Sequence, residues 1–229
     1  MERLGNNAAG WVLALLGIGA IVGALAGGDG WWLHWICKPA ATCWLLVWLS
    51  LAGAGVPAGH RGYRRWVLAG LGLSLAGDVL LMLPYGLFVP GLIAFLLAHL
   101  CYIAAFRSGW TARAVVLSGA VSAVVAGANL WGLWPHLPSG MQLPVTAYVV
   151  VIAVMAALAG ARALSGAPRG RWAAVGAILF VASDSWLAWD RFAGPLPAAI
   201  AGVLVTYWAA QWAIAVSAVS AGASSSDTQ

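Results

Sequence analysis

Four ionisable residues stand where an apolar environment should exclude them. Asp78 and His99 lie in two strongly apolar stretches joined by a short Pro/Gly turn, within Gly70–Phe106. Lys38 and Asp184 lie in two others. Burying a charge in hydrocarbon costs roughly 2.5–3.5 kcal/mol on insertion scales. A chain that keeps such residues has arranged them for chemistry or for a transport path. Two carboxylates and one ammonium leave one carboxylate uncompensated, and a low dielectric favours a bound proton over a second bare charge. One ionised and one protonated carboxylate is the arrangement that acid/base hydrolysis needs.

The elements that must position these residues are membrane helices. Of 229 residues, 63% are hydrophobic and only 7% charged, far below the roughly 25% charged residues of a soluble domain. Apolar runs of about 20 residues recur from end to end. The expected fold is an all-α polytopic membrane protein of eight transmembrane helices, at about 8–26, 31–53, 65–84, 89–106, 113–133, 143–162, 171–190 and 196–218. Residues 1–220 form one membrane domain on this reading, and the Ser-rich tail 221–229 is expected to be disordered. No secretory signal peptide is evident. Cys37, Cys43 and Cys101 form no metal-spacing motif and read as small apolar residues.

The net charge of +5 is not a nucleic-acid signal, because the basic residues are dispersed in short loops. Arg3, Arg61, Arg64, Arg65, Arg107, Arg113, Arg162, Arg169 and Arg171 fall on one side, nine of the 11 basic residues. The positive-inside rule then places both termini in the cytoplasm, and an even number of spans follows.

Counting inward at about 1.5 Å per residue, Lys38, Asp78 and Asp184 all lie roughly 9–10 Å from the outer ends of their spans. Asn129 and Tyr148 come out slightly shallower, and His99, Tyr207 and Tyr102 progressively deeper. A shared layer of opposite charges from three helices points to a pocket opening toward the outer leaflet. An internal echo strengthens this. Gly70-x5-Ala76-Gly77-Asp78-x2-Leu81 matches Gly176-x5-Ala182-Ser183-Asp184-x2-Leu187, and the following helices begin at Pro90 and Pro197. The echo suggests a 4+4 parallel internal repeat, with Asp78 and Asp184 facing each other across a central cavity.

Each residue also has a plainer reading. Lys38 and Asp78 could be a structural pair, or Lys38 a snorkelling anchor beside the helix disturbance at Pro39. His99 and Tyr102 share a helix face and could be polar glue between helices. Asp190 and Arg191, at the outer boundary, default to a solvated pair. Ser74 and Ser183 lack the surroundings of a nucleophile elbow. No His-x3-His pair supports a zinc site built from Asp78, His99 and Asp184.

Together the residues resemble the YhhN-like, lysoplasmalogenase family. The resemblance rests on Lys38-Pro39, on Gly77-Asp78 followed by Leu80-Leu81-Met82, and on Phe88-x2-Gly91-x3-Phe95-x3-His99-x2-Tyr102-x3-Phe106. It continues through Tyr148-x6-Met155, Gly176-Ala177-x2-Phe180-x2-Ser183-Asp184 and Tyr207-x3-Gln211, and spans Trp31 to Trp212. It implies a polytopic membrane hydrolase that cleaves the vinyl-ether bond of lysoplasmalogens, lysoplasmenyl-ethanolamine or -choline, to a fatty aldehyde and a glycerophospho-headgroup. It implies Asp78 and Asp184 as the catalytic pair, with Lys38, His99, Tyr102, Tyr148 and Tyr207 around them; Asn129 and Ser183 are further expected substrate contacts.

Vinyl-ether hydrolysis fits the residues. Proton transfer to the alkene carbon gives an oxocarbenium ion, water adds, and the hemiacetal collapses. A carboxylic acid can donate the proton and a carboxylate can steady the cation and activate water, as carboxylate pairs do at glycosidic bonds. Either Asp could be the acid. No cofactor or metal is demanded. The expected partners are a lysophospholipid substrate and membrane lipids in the bacterial inner membrane, not nucleic acid. Small residues are spread over all spans, so no oligomer face is singled out. The rival reading is a proton-coupled transporter or a lipid-binding membrane protein, whose carboxylates would carry protons rather than catalyse.

Overall fold

The computed structural model describes residues 2–52 and 58–219. Its eight α-helices are α1 (Glu2–Ala26), α2 (Trp31–Leu51), α3 (Ala58–Met82), α4 (Phe88–Phe106), α5 (Ala112–Leu133), α6 (Ser139–Leu164), α7 (Gly170–Phe192) and α8 (Ala199–Ser217). Two 3-10 turns, Gly28–Gly30 and Trp134–His136, lead into α2 and follow α5. There is no strand among the described residues. The tail expected to be disordered, 221–229, lies outside them.

Seven helices are long and apolar enough to cross a membrane, and the chain is an integral membrane protein. The helix outside that set is α2. Its 21 residues span about 32 Å, but Lys38, His34 and five Trp residues dilute its apolar character. Four sequential hairpins, α1–α2, α3–α4, α5–α6 and α7–α8, make the closest packing, with α4 against α6 and both α1 and α2 against α8. The core joins them through Leu45, Leu49, Leu71, Phe106, Met155, Phe180 and Ile214. Close approach depends on glycine at two matched places. A Cβ on Gly77 would sit 2.6 Å from the Phe95 ring, and one on Gly176 would sit 2.9 Å from the Ala210 carbonyl oxygen.

The helix bounds differ from the expected spans where polar residues extend or stop a helix. α3 begins at Ala58 rather than 65, carrying the Arg61–Arg65 cluster inside the helix. Arg64 from this extension donates to the Leu49 carbonyl at 2.5 Å and the Ser50 carbonyl at 2.7 Å. It thereby satisfies carbonyls that the end of α2 leaves without helical partners. α8 begins at Ala199 rather than 196, because Gly194, Pro195 and Pro197 favour a turn. The Asp190 Oδ1 accepts from the Leu196 N–H at 2.8 Å within that turn.

α5 is the outlier of the bundle. It packs mainly on α6, and its buried residues are Ala114 and Leu133, near its two ends. At one end the Thr111 N–H donates to the Ser165 hydroxyl at 2.9 Å. At the other, Asn129 Nδ2 donates to the Ser185 hydroxyl of α7 at 2.6 Å.

Candidate functional site

Asp78 projects from α3 beside Gly77, where the missing side chain lets α4 press Phe95 close. The carboxylate is buried, 1% exposed, so its oxygens need hydrogen-bond partners. Thr42 of α2 donates to Oδ2 at 2.8 Å, and the Tyr207 hydroxyl of α8 donates to the same oxygen at 2.8 Å. Oδ1 faces the Lys38 ammonium at 3.8 Å. Lys38 is itself buried, which rules out the snorkelling alternative. A chain of hydrogen bonds stands behind Tyr207. Gln211 Nε2 donates to the Tyr207 hydroxyl at 3.0 Å, and the Tyr102 hydroxyl donates to Gln211 Oε1 at 2.8 Å. Since Tyr207 accepts from Gln211, its single proton is free for Asp78.

Asp184 projects from α7. The Tyr148 hydroxyl of α6 donates to its Oδ2 at 2.6 Å. His99 Nε2 of α4 lies 3.3 Å from the same oxygen. The His99 ring is fully buried between Tyr102, Tyr148 and Phe180, and neither ring nitrogen makes a well-directed hydrogen bond. The 3.3 Å approach is therefore a close electrostatic contact rather than an aligned bond. The Asp184 side chain keeps 18% of its surface exposed.

The two carboxylates are held on one plan. Thr42 stands 36 residues before Asp78, and Tyr148 stands 36 residues before Asp184. Each Asp thus takes a hydroxyl from the helix before it. Each then takes a second group from the opposite half of the chain, Tyr207 of α8 for Asp78 and His99 of α4 for Asp184.

Both carboxylates line one cavity of about 680 Å³, with Lys38, Tyr148, Ser183 and Tyr207 also on its wall. Asn129 lines it from α5, accepting from Trp189 Nε1 at 2.9 Å. Ser183 donates to the Val203 carbonyl at 3.1 Å, tying α7 to α8. His99 and Tyr102, read from the sequence as substrate contacts, do not reach the cavity surface. They support Asp184 and Gln211 from behind. The sequence count put His99 deeper than the carboxylates, and its side chain reaches Asp184. Asp190 and Arg191 do not pair as a solvated couple either. Asp190 caps the α7–α8 turn and the Arg191 guanidinium lies 5.0 Å over the Phe88 ring.

Sequence reasoning missed Thr42, a hydroxyl of a common type in an apolar helix. The internal echo carried the signal, because Thr42 precedes Asp78 by the same interval that separates Tyr148 from Asp184. It also missed His34, which lines the cavity one turn before Lys38 and pairs through Nδ1 with the Ala20 carbonyl at 2.9 Å. Among the described residues no three His, Cys, Asp or Glu side chains gather as metal ligands.

The chain matches the sequence model of the YhhN family over residues 33–218. It belongs to the YhhN family. It is 39% identical over 195 residues to the lysoplasmalogenase of Mycobacterium tuberculosis (strain CDC 1551 / Oshkosh), covering 80% of this chain and 72% of that protein. The human lysoplasmalogenase TMEM86B is 37% identical over 172 residues, 75% of this chain and 71% of that one. Bovine lysoplasmalogenase TMEM86A is 34% identical over 191 residues, 80% and 76% of the two chains. No solved structure matches. In this family member, the matched region takes in both carboxylates and every side chain that holds them.

Proposed function

We propose that the protein is a lysoplasmalogenase. It hydrolyses the vinyl-ether bond of a lysoplasmenyl lipid, ethanolamine or choline, with Asp78 and Asp184 as the acid/base pair. The observation that carries this reading is the pair of carboxylates from α3 and α7 opening on one largely apolar cavity inside a membrane bundle. The names of the similar proteins from bacterium to mammal support the substrate class.

The surroundings divide the work. Each group placed on Asp78 is a donor, and one of them is an ammonium that cannot accept. Asp78 is therefore the ionised member. Asp184 shares no ammonium and is the more exposed to the cavity, so it is the acid. Asp184 gives its proton to the alkene carbon remote from the ether oxygen. The ether oxygen shares its electrons with the adjoining carbon, and Asp78 steadies the oxocarbenium ion. Water attacks that carbon and returns a proton to the Asp184 carboxylate. The hemiacetal then collapses to aldehyde and a free glycerol hydroxyl. No covalent intermediate on the protein is needed.

The frame that supports this is a 4+4 parallel repeat of eight spans, with α2 among them and both termini on the arginine-rich, cytoplasmic side. The shared interval between hydroxyl and carboxylate in the two halves supports the repeat. The basic loops support the orientation, with the protein in a bacterial cytoplasmic membrane. The test is aldehyde release from lysoplasmenyl-ethanolamine and -choline by the purified protein in mild detergent, beside Asp78→Asn and Asp184→Asn. Release by the wild type and loss in both variants is expected. A wild type that releases none would overturn the activity, and full activity in both variants would overturn the mechanism.

A further inference from the structure

The cavity does not end at the carboxylates. It continues along α5, α6 and α7, where its lining is aliphatic apart from Ser122, with Val121 and Val125 from α5, Ala153 and Ala156 from α6, and Ile178 and Val181 from α7. The direction of this extension is the same on every helix. Ile178 precedes Asp184 by six residues, about 9 Å of helix. Ala156 follows Tyr148 on the antiparallel α6 by eight residues, about 12 Å. Val121 precedes Asn129 on α5 by the same eight residues, and Asn129 is bonded to Ser185, next to Asp184.

The polar lining lies the other way. Asp190 and Arg191 follow Asp184 on α7, and the Arg191 contact with Phe88 sets the end of α7 beside the start of α4. One side of the carboxylates thus carries charged residues among its apolar lining, and the other carries none. A single-chain lipid whose reacting bond joins headgroup to chain has this same polarity.

The groove is also open sideways. Val121 and Val125 are 66% and 46% exposed. α5 is tied to its neighbours near its ends, and its buried residues, Ala114 and Leu133, also lie there. A chain can enter from the surrounding lipid without passing through water. Its floor, Ala153 and Ala156, carries the smallest side chains that still give an apolar surface.

Resting on the hydrolase reading, we infer that the groove between α5, α6 and α7 binds the substrate's single aliphatic chain. Ala153 and Ala156 set the length of chain it accepts. Each methylene buried there strengthens binding about fourfold, until the chain reaches the end of the groove.

The experiment uses lysoplasmenyl-ethanolamines that differ only in alkenyl chain length, with the full-length protein in mild detergent. For the wild type, kcat/KM is expected to rise with chain length and then level off. In Ala156→Phe the plateau moves to shorter chains, and in Ala153→Phe, nearer Tyr148, to shorter chains still. Activity on the shortest lipid is retained in both. Val121→Trp fills the far end of the groove from the little-buried α5, so it leaves the packed floor untouched, and should match Ala156→Phe. Val124→Phe, on the exposed outer face of α5, should match the wild type. Equal losses at every chain length, or an unchanged profile in all three groove variants, would overturn the inference. Saturated-ether lysolipids of the same lengths, scored by thermal shift, separate the two readings. A length dependence of binding that shortens in the variants upholds the groove even if no aldehyde is released. Length-independent binding in the wild type sinks it even if aldehyde is released.

Discussion

Asp78 receives Thr42 and Tyr207 on one oxygen and faces the Lys38 ammonium with the other, whereas Asp184 receives Tyr148 and leans on the His99 ring. Both take a hydroxyl from the preceding helix at the same interval. What differs is the closure. The Asp78 nest reaches the cavity only narrowly, paired with a buried cation and backed by Gln211 and Tyr102. The Asp184 nest stays open to the cavity and has no cation of fixed charge. In the proposed mechanism the carboxylate beside the ammonium stays an anion, and the more exposed one passes its proton to the substrate.

The largest expected effect tests the open nest. Asp184→Asn keeps an acceptor for Tyr148 but cannot donate an acidic proton. Its kcat for aldehyde release should fall about 10²–10⁴-fold, the usual contribution of a general acid, with a melting temperature close to the wild type. A melting temperature that collapses with the activity would erase the contrast.

The Asp78 nest should respond in stability. Lys38→Met leaves a buried, uncompensated carboxylate, and breaking such a pair costs about 3–5 kcal/mol. Thermal unfolding in mild detergent should show that loss, and Lys38→Met combined with Asp78→Asn should recover most of it. A Lys38→Met protein as stable as the wild type would mean that the ammonium does not hold Asp78.

A smaller effect is expected one layer back. Gln211→Leu removes the partner of two buried phenols, and an unsatisfied buried group costs about 1–3 kcal/mol. It should also lower kcat with little change in KM, because Tyr207 loses its orientation toward Asp78. A rise in KM alone would place Gln211 in substrate binding instead. Tyr102→Phe, at the far end of the same chain, leaves one buried acceptor unpaired where Gln211→Leu strands two phenols, so it should cost about 1 kcal/mol, the low end of that range, and its kcat should stay near the wild type. A kcat loss matching that of Gln211→Leu would mean that the relay works as one unit.

The two nests also mark what was legible in the sequence. Lys38, Asp78 and Asp184 stood out because charge is costly in hydrocarbon, and all three line one cavity. The helices followed from apolar runs, and the echo around the two Asp residues pointed to paired positions. Thr42 and Gln211 were harder, because neutral polar side chains are tolerated in a bundle and reveal themselves only through partners. The contact of His99 with Asp184 was not legible, because which side chains meet across helices cannot be counted along one chain. The early start of α3 depended on Arg64 finding the end of α2, a tertiary bond with no local signature.

The proposed mechanism delivers a carboxyl proton to the vinyl-ether carbon. Hydrolysis of lysoplasmenyl-ethanolamine in heavy water, with the aldehyde trapped as it forms, tests this most directly. The wild type should place one deuterium on the carbon next to the aldehyde, and Asp184→Asn should release almost no aldehyde. An aldehyde released without deuterium at that carbon, or at the wild-type rate by Asp184→Asn, would contradict the account.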